Sequence, residues 1–359
     1  MKISVLPANE LDATLIARWK HIQTHDDTLR SPYYSPGFTQ LVAASGQNVQ
    51  VAVIESAGLI EGFFPFQKLS YGRLVPVGNG LNDYHGMIAS PGLAVDAATL
   101  MKACKGHYFG FNHLPLTQTV FAPFVRMHSV SPVLELAGGW DAYVQRLCAV
   151  QNTRSPGILS TVKSSFKRIE RDIGPVRFEM HESSPQVLAQ LMRLKSEQRA
   201  RTVGLKDDPF ALPWVQHMMR QGLELQDINF RAEMCAMYAG DKLVSIHYGI
   251  RSDQTLHWWF PVFDPEYSYY QPGLILLKKA AETGDQQGLT LIDLGRGDAH
   301  YKMRFKTAQI ALGEGAVSRP ALLAKANMGA KLVKQAIKAN PKVVQLRRWM
   351  SEKKQPVPE

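Results

Sequence analysis

Apolar and polar positions fall into two kinds of pattern along this chain, short β-branched and aromatic runs broken by Gly turns, and stretches with apolar residues at three-to-four spacing. Val51-Ala-Val-Ile-Glu followed by Ser56-Ala-Gly-Leu-Ile-Glu-Gly-Phe-Phe-Pro-Phe66 predicts two short strands joined at a glycine. The pattern returns at Ala232 to Tyr238, then Ala239-Gly-Asp-Lys242, then Leu243 to Arg251, and a third strand is predicted from Thr255 to Phe263. The two halves echo each other in pattern rather than in residue identity, which suggests a repeated structural unit.

Helical spacing fills the intervals. Ser160 to Ile173 reads as a basic helix stopped by Gly174-Pro175, Pro185 to Arg201 as an amphipathic helix, and Pro209 to Gln221 as another. Pro272 suits the first turn of a helix that Gly284 ends, Leu289 to Leu294 reads as a buried strand, and a short helix follows. Turn chemistry at Asn152-Thr-Arg-Ser-Pro-Gly157 sets a boundary, dividing the chain into residues 1–150, 151–318 and a tail from 319 to 359. At 359 residues, 45% of them apolar, two cores are the natural expectation.

Charge changes the picture only once it is located. The net charge is +10, yet residues 319–359 hold ten Lys or Arg against two Glu, so the body is nearly neutral. A near-neutral body argues against a nucleic-acid groove, whose affinity comes from clustered cations. In the tail, Leu322, Leu323, Ala326, Ala330, Val333 and Ile337 share a helical face beside Lys331, Lys334 and Lys338. That arrangement makes residues 321–354 a candidate for contact with an anionic membrane surface or a protein. Cys104, Cys148 and Cys235 are too scattered for a disulfide framework or a metal site and are read as reduced thiols. Without a run of eighteen apolar residues or a signal-peptide pattern near Met1, the expected location is the cytoplasm, with a peripheral place at the inner membrane face open.

The densest candidate chemistry is Leu291-Ile-Asp-Leu-Gly-Arg-Gly-Asp-Ala-His-Tyr-Lys302. It looks like the Gly-rich motif that holds S-adenosylmethionine, but that motif opens a doubly wound domain, and too few residues follow it here. Together with His257-Trp258-Trp259, Asp264-Pro265, and Tyr270-Gln271-Pro272-Gly273, it instead resembles the GNAT superfamily. The resemblance extends to the cellulose-biosynthesis CelD-like acyltransferases, which look like paired GNAT-type domains distantly related to the FemAB transferases. It is carried mainly by residues 150 to 310, and more weakly in the first half by Gly80-Leu-Asn-Asp-Tyr-His85.

The resemblance implies an α+β fold of two tandem GNAT-like domains with mostly antiparallel sheets flanked by helices, plus the basic tail. It also implies transfer of an acyl group, most simply acetyl, from acyl-CoA or an acyl carrier protein to a sugar or polysaccharide-precursor acceptor, with no metal. In such a site an oxyanion takes a hydrogen bond from a backbone N–H where the central strand bulges. The bulge is expected at Phe260 to Phe263, because Pro261 has no N–H, and this makes Val262 or Phe263 the donor. Gln271, Gly273 and Leu274 correspond to the anion-binding start of the next helix, although Gly273 stands alone where spaced glycines are usual. Tyr301 matches the phenol that protonates the departing thiolate, and Asp293 or His247 could serve as base. Arg296, Asp298 and Lys302 project from the same region, Trp258 and Trp259 present aromatic faces, and Asp83 and Tyr84 occupy a Gly-bounded polar loop placed at the acceptor side.

Two rival readings remain. A FemAB-like aminoacyl transferase would use Lys163, Lys167, Arg168 and Arg171 to hold RNA. A non-catalytic component of a polysaccharide machine would keep the fold without turnover.

Overall fold

Each half contains a strand and two helices followed by a hairpin, and in the second half a further helix precedes them. β1 (Lys2–Pro7) leads to α1 (Ala13–Thr24), where the Asp12 carboxylate caps the Leu15 N–H at 2.8 Å, and to α2 (Pro36–Ala44), which starts on Pro36. The expected first hairpin is β2 (Val49–Ser56) and β3 (Leu59–Lys68), turning at Ala57 and Gly58. β4 (Arg73–Val75), β5 (Ile88–Ala89), α3 (Ala97–Ala103), β6 (Tyr108–Pro115), β7 (Val125–Glu135) and α4 (Gly139–Val150) complete this half. The second runs through α5 (Gly157–Asp172), β8 (Val176–Glu179), α6 (Pro185–Thr202), α7 (Pro213–Glu224), β9 (Arg231–Ala239), β10 (Lys242–Arg251) and β11 (Thr255–Phe263). It ends with α8 (Pro272–Gln286), β12 (Leu291–Asp293), α9 (His300–Phe305) and β13 (Ala308–Ser318). The computed structural model describes residues 1–202 and 208–318; the expected basic helix of the tail lies outside them.

The strands form one sheet in the order β1-β2-β3-β4-β6-β13-β7-β12-β11-β10-β9-β8, with β5 paired to β3. Only β4 with β6 and β11 with β12 run parallel, and they hold matching positions in the two halves. The fold is α+β, with a mostly antiparallel sheet flanked by helices. The centre of the sheet belongs to both halves. β13, from the end of the second half, lies between β6 and β7 of the first, and β7 pairs in turn with β12 of the second.

The cores follow from this sharing. On one face, Trp19, Phe38 and Val42 of α1 and α2 join Leu188, Leu191, Val215 and Met219 of α6 and α7 in a single core across both halves. On the other face two cores stay separate, one beneath α4, α5 and α8 around Leu147, Ile169 and Leu277, and one around Phe64, Leu100 and Phe121. Cys104 and Cys235 are buried, Cys148 is half-buried, and all three thiols are free.

Candidate active site

β11 is paired to β12 only through Thr255, Leu256 and His257, opposite Leu291, Ile292 and Asp293. Beyond that point β12 ends while β11 continues to Phe263, so the two parallel strands part. A cavity of about 620 Å³ opens where they separate, walled by Trp258, Trp259 and Phe263 of β11, Gln271 and Gly273 before and on α8, and Tyr301 on α9.

A bulge is present in β11, but not at the expected place. Against β10, Phe260 faces Tyr248 and His257 faces Ile250, so the extra residue falls at Trp258 and Trp259, opposite Gly249. A Cβ on Gly249 would strike the His257 carbonyl and the His247 ring. The bulge brings Trp259 and Phe260 onto the same face, stacked with centroids 4.4 Å apart. Pro261 instead keeps register with His247. The reason lies in the ladder. Asp264 N–H donates to Val244 O at 3.1 Å, so the alternation of an antiparallel pair places the Val262 amide in the ladder as well and turns those of residues 261 and 263 toward the opening. Proline therefore costs no ladder bond here. Val262, one of the two expected donors, has its N–H committed to β10, whereas the Phe263 N–H faces the space between the strands.

The first half enters this cavity with Asp83, from a loop, and His113, from β6. Asn82 Oδ1 accepts from Tyr84 N–H at 2.7 Å, and the turn this fixes sends Asp83 to the cavity wall and Tyr84 into the core. Asp83 Oδ2 meets His257 Nε2 at 2.9 Å and Asp83 Oδ1 meets His113 Nε2 at 3.2 Å. Behind them, Asp293 accepts from the Tyr84 hydroxyl, from Ser131 Oγ and, at 2.8 Å, from Gly295 N–H. His257 Nδ1 is 3.8 Å from Asp293 Oδ2, within ion-pair reach but beyond a hydrogen bond. Asp293 is thus held inside the sheet and does not line the cavity, contrary to its expected use as a base.

The charges in this cluster are set by one another. Burial works against a charge on His257, but its bond and ion pairs with Asp293 and Asp83 outweigh it and raise the imidazole to about 9. Burial likewise disfavours the Asp83 anion, and the bond from His257 with the nearby imidazoles overrides it, lowering the carboxyl to about 2. His113 moves the other way. Its burial lowers its pKa, so a neutral ring stands beside an ionised carboxylate on the cavity wall.

Other expected residues are distributed unevenly. Tyr301 lines the cavity with its phenol pushed up by burial to about 12. Lys302 and Arg296 also line it, but Lys302 Nζ is tied to the carbonyls of Gly295 and Arg296 at 3.0 Å, and Arg296 bonds Asn112 O and Glu314. Asp298 is exposed and outside the cavity. His247 is fully buried, stacked on Trp258 at 3.6 Å with neither ring nitrogen bonded, and burial holds it neutral. It does not reach the cavity, so its expected role as base has no geometry behind it.

Lys195 of α6, absent from the sequence reading, also lines the cavity. Its Nζ is 3.3 Å from Pro261 O, and burial, with Arg199 nearby, lowers it to about 8. His257 and His113 were likewise not singled out as site residues. His257 had a signal in its place beside the two tryptophans, whereas His113 lies in an otherwise ordinary strand.

Residues 158–303 match a family model described as an acetyltransferase (GNAT) domain. Among solved structures, the chain is similar to FemX, with 10% identity over 88% of this chain and 96% of that one and a TM-score of 0.56. It is similar to the C-terminal domain of a putative lysylphosphatidylglycerol synthetase from Agrobacterium fabrum, at 13% identity over 89% and 95% of the two chains and a TM-score of 0.53. A tandem GNAT protein from the clavulanic acid biosynthesis pathway shares 9% identity over 88% of this chain and 98% of that one, with a TM-score of 0.50. At these identities the likeness is one of fold. No curated protein matches the chain. The molecule has a GNAT-type fold, doubled in tandem. Its second half carries a GNAT acetyltransferase domain, which makes it an acyltransferase, and acyl-CoA is the co-substrate that this fold implies in general. Among the described residues no helix is long and apolar enough to cross a membrane, and no cluster of side chains could hold a metal.

Proposed function

We propose that the protein transfers an acyl group from a phosphopantetheine thioester, as acyl-CoA or on an acyl carrier protein, to an amine or hydroxyl of a sugar or polysaccharide precursor, in keeping with its resemblance to the CelD-like acyltransferases. One observation carries this reading: Asp83 of the first half stands on the wall of the cavity where β11 and β12 of the second half part. An acceptor bound between the halves meets a thioester lying along the open edge of β11. Trp259, the more exposed of the two tryptophans, offers aromatic surface to a sugar ring, and the ionised Asp83 offers a hydrogen-bond acceptor to its amine or hydroxyl.

The acceptor nitrogen or oxygen bonds to the thioester carbonyl carbon, and the Phe263 N–H supports the negative charge that develops on the carbonyl oxygen. The proton shed by the nucleophile goes to the Asp83–His113 pair, where the neutral imidazole gives it a resting place. The carbon–sulfur bond then breaks with its electron pair on sulfur, and Tyr301, still protonated at neutral pH, donates a proton to the thiolate. Lys302 and Arg296, tied to carbonyls and to Glu314, hold the β12–α9 turn in place.

The test is free-thiol release by purified protein given acetyl-CoA, longer acyl-CoAs and acylated carrier protein, each with and without amino-sugar acceptors. Acceptor-dependent release supports the reading. Turnover only with an aminoacyl-tRNA, or binding of no thioester, would overturn it.

A further inference from the structure

In the proposed transfer the donor's phosphate needs a site, and the start of α8 is poorly equipped to be one. Pro272 has no N–H, the Leu274 N–H is spent on Gln271 O at 3.0 Å, and the Gln271 N–H on Ser268 O at 3.0 Å. Gly273 is left as the free amide of that turn, where an anion site relies on several. Beside this turn, however, α5 presents Ser160, Ser164 and Arg168 at successive four-residue steps, which stack along one helix face. With Gln271 they line an open depression of about 380 Å³.

Three features distinguish this depression from an ordinary solvated surface. Gln271 lines both it and the cavity at the parting strands, so the two adjoin at that side chain. Gln271 is held in the left-handed region at φ 52°, a conformation uncommon for residues with a side chain and frequent at ligand clamps, and its Oε1 is 3.4 Å from Ser165 Oγ. The Ser160 and Ser164 hydroxyls have no protein partner among the described residues, and the Arg168 guanidinium lies over the Tyr269 ring at 4.6 Å rather than against a carboxylate. Past Ser160 a second groove begins, with Lys163 and Lys167 on its wall, so positive charge continues away from the reacting end.

We propose that Ser160, Ser164, Arg168 and Gln271 form the binding site for the phosphate of the donor's phosphopantetheine arm, taking over on α5 the task that the start of α8 cannot perform. An arginine with two hydroxyls and a side-chain amide supplies directional donors to a phosphate and leaves its charge countered. The same phosphate occurs in CoA and on a holo carrier protein, and the chemistry recognised is common to both.

The inference rests on acyl transfer at the neighbouring cavity, and calorimetric titration of the full chain separates the two. Pantetheine, 4′-phosphopantetheine and CoA are compared on the wild type and on Arg168→Gln and Ser164→Ala, substitutions on the helix surface. The expected result is that phosphopantetheine binds at least about tenfold more tightly than pantetheine, as a charge-assisted contact would give, and that Arg168→Gln removes most of this gain while leaving pantetheine binding unchanged. Holo and apo carrier protein then assign the source, since Arg168 dependence with CoA alone points to CoA and with the holo form alone to the carrier arm. A phosphate gain that survives Arg168→Gln and Ser164→Ala would overturn the site but leave acyl transfer standing. If neither pantetheine nor any phosphorylated form binds, both readings fall.

Discussion

Asp83 and His257 come from opposite halves of the chain and meet at 2.9 Å, the imidazole buried in the sheet and the carboxylate on the wall of the cavity. Asp83→Asn keeps the shape of the contact but removes the charge that orients the acceptor and receives its proton. Turnover should fall by about 100-fold or more, the lower bound for loss of a general base, with donor binding retained. Steady-state thiol release together with donor titration checks this, and an unchanged kcat would remove Asp83 from the mechanism.

The same pair links stability to pH. His257 is raised from 6.5 to about 9, so its contribution is fully present below about pH 6.5 and is lost as pH climbs through 9. Asp83 is depressed to about 2, so its contribution is present above its ordinary range and is lost as pH falls toward 2. Urea unfolding at pH 7 and pH 10 should show the wild type losing stability on the order of 3 kcal/mol over that interval. His257→Gln should start less stable at pH 7 and lose much less on alkalinisation; equal losses would mean that other groups carry the dependence.

Two proline substitutions one residue apart should behave differently. Val262→Pro removes an amide committed to β10 and should cost about 3 kcal/mol or more of stability. Phe263→Pro removes an amide that faces the cavity, so it should fold nearly as well as the wild type while kcat drops by about 100-fold or more. Thermal melts and rates on both variants decide the matter, and full activity in Phe263→Pro would place the oxyanion elsewhere.

Tyr301, its phenol pushed up by burial to about 12, keeps its proton at neutral pH. Tyr301→Phe should therefore bind donor normally and turn over slowly. The defect should shrink with thioesters whose thiol is more acidic, because a better leaving group needs no proton. A defect independent of the leaving group would indicate a packing role.

Gly295 has φ 73°, and a Cβ there would lie 3.1 Å from Asp83 Oδ2. Gly295→Ala combines about 1 kcal/mol of backbone strain with pressure on the carboxylate. A lowered melting temperature with a disproportionate loss of kcat is expected. A stability loss with normal kcat would show that Asp83 tolerates the displacement.

How much of this was legible in the sequence depended on how local the cause was. The meander of β9, β10 and β11 and the helix α8 follow from turn residues and apolar spacing within a few residues, and both are present as read. The bulge lies at Trp258 and Trp259, just before the expected Phe260 to Phe263, because the parity of hydrogen bonding with β10 makes Pro261 harmless and Gly249 the permissive partner. Ala308 to Ser318 holds five glycine or alanine residues, all weak strand formers, so its place in the sheet is dictated by β6 and β7 on either side rather than by its own composition. Asp83 is legible as a binding residue, but its imidazole partners, His113 of the same half and His257 of the other, are brought to it by tertiary contacts that no local pattern encodes.

The sharing of β7 and β13 also bears on how the protein is made. During synthesis β6 and β7 emerge long before β13, the strand that will separate them, and until then each presents an unpaired edge able to recruit strands from other chains. The first half consequently cannot reach its final pairing while the second is still being translated, and a chain cut short after α9 would carry an intact-looking acetyltransferase segment with an open seam at its centre. Residues 158–303 alone would be in the same position, lacking both shared strands. The halves are bound by order of birth as well as by contact, because the last strand among the described residues closes the first half built.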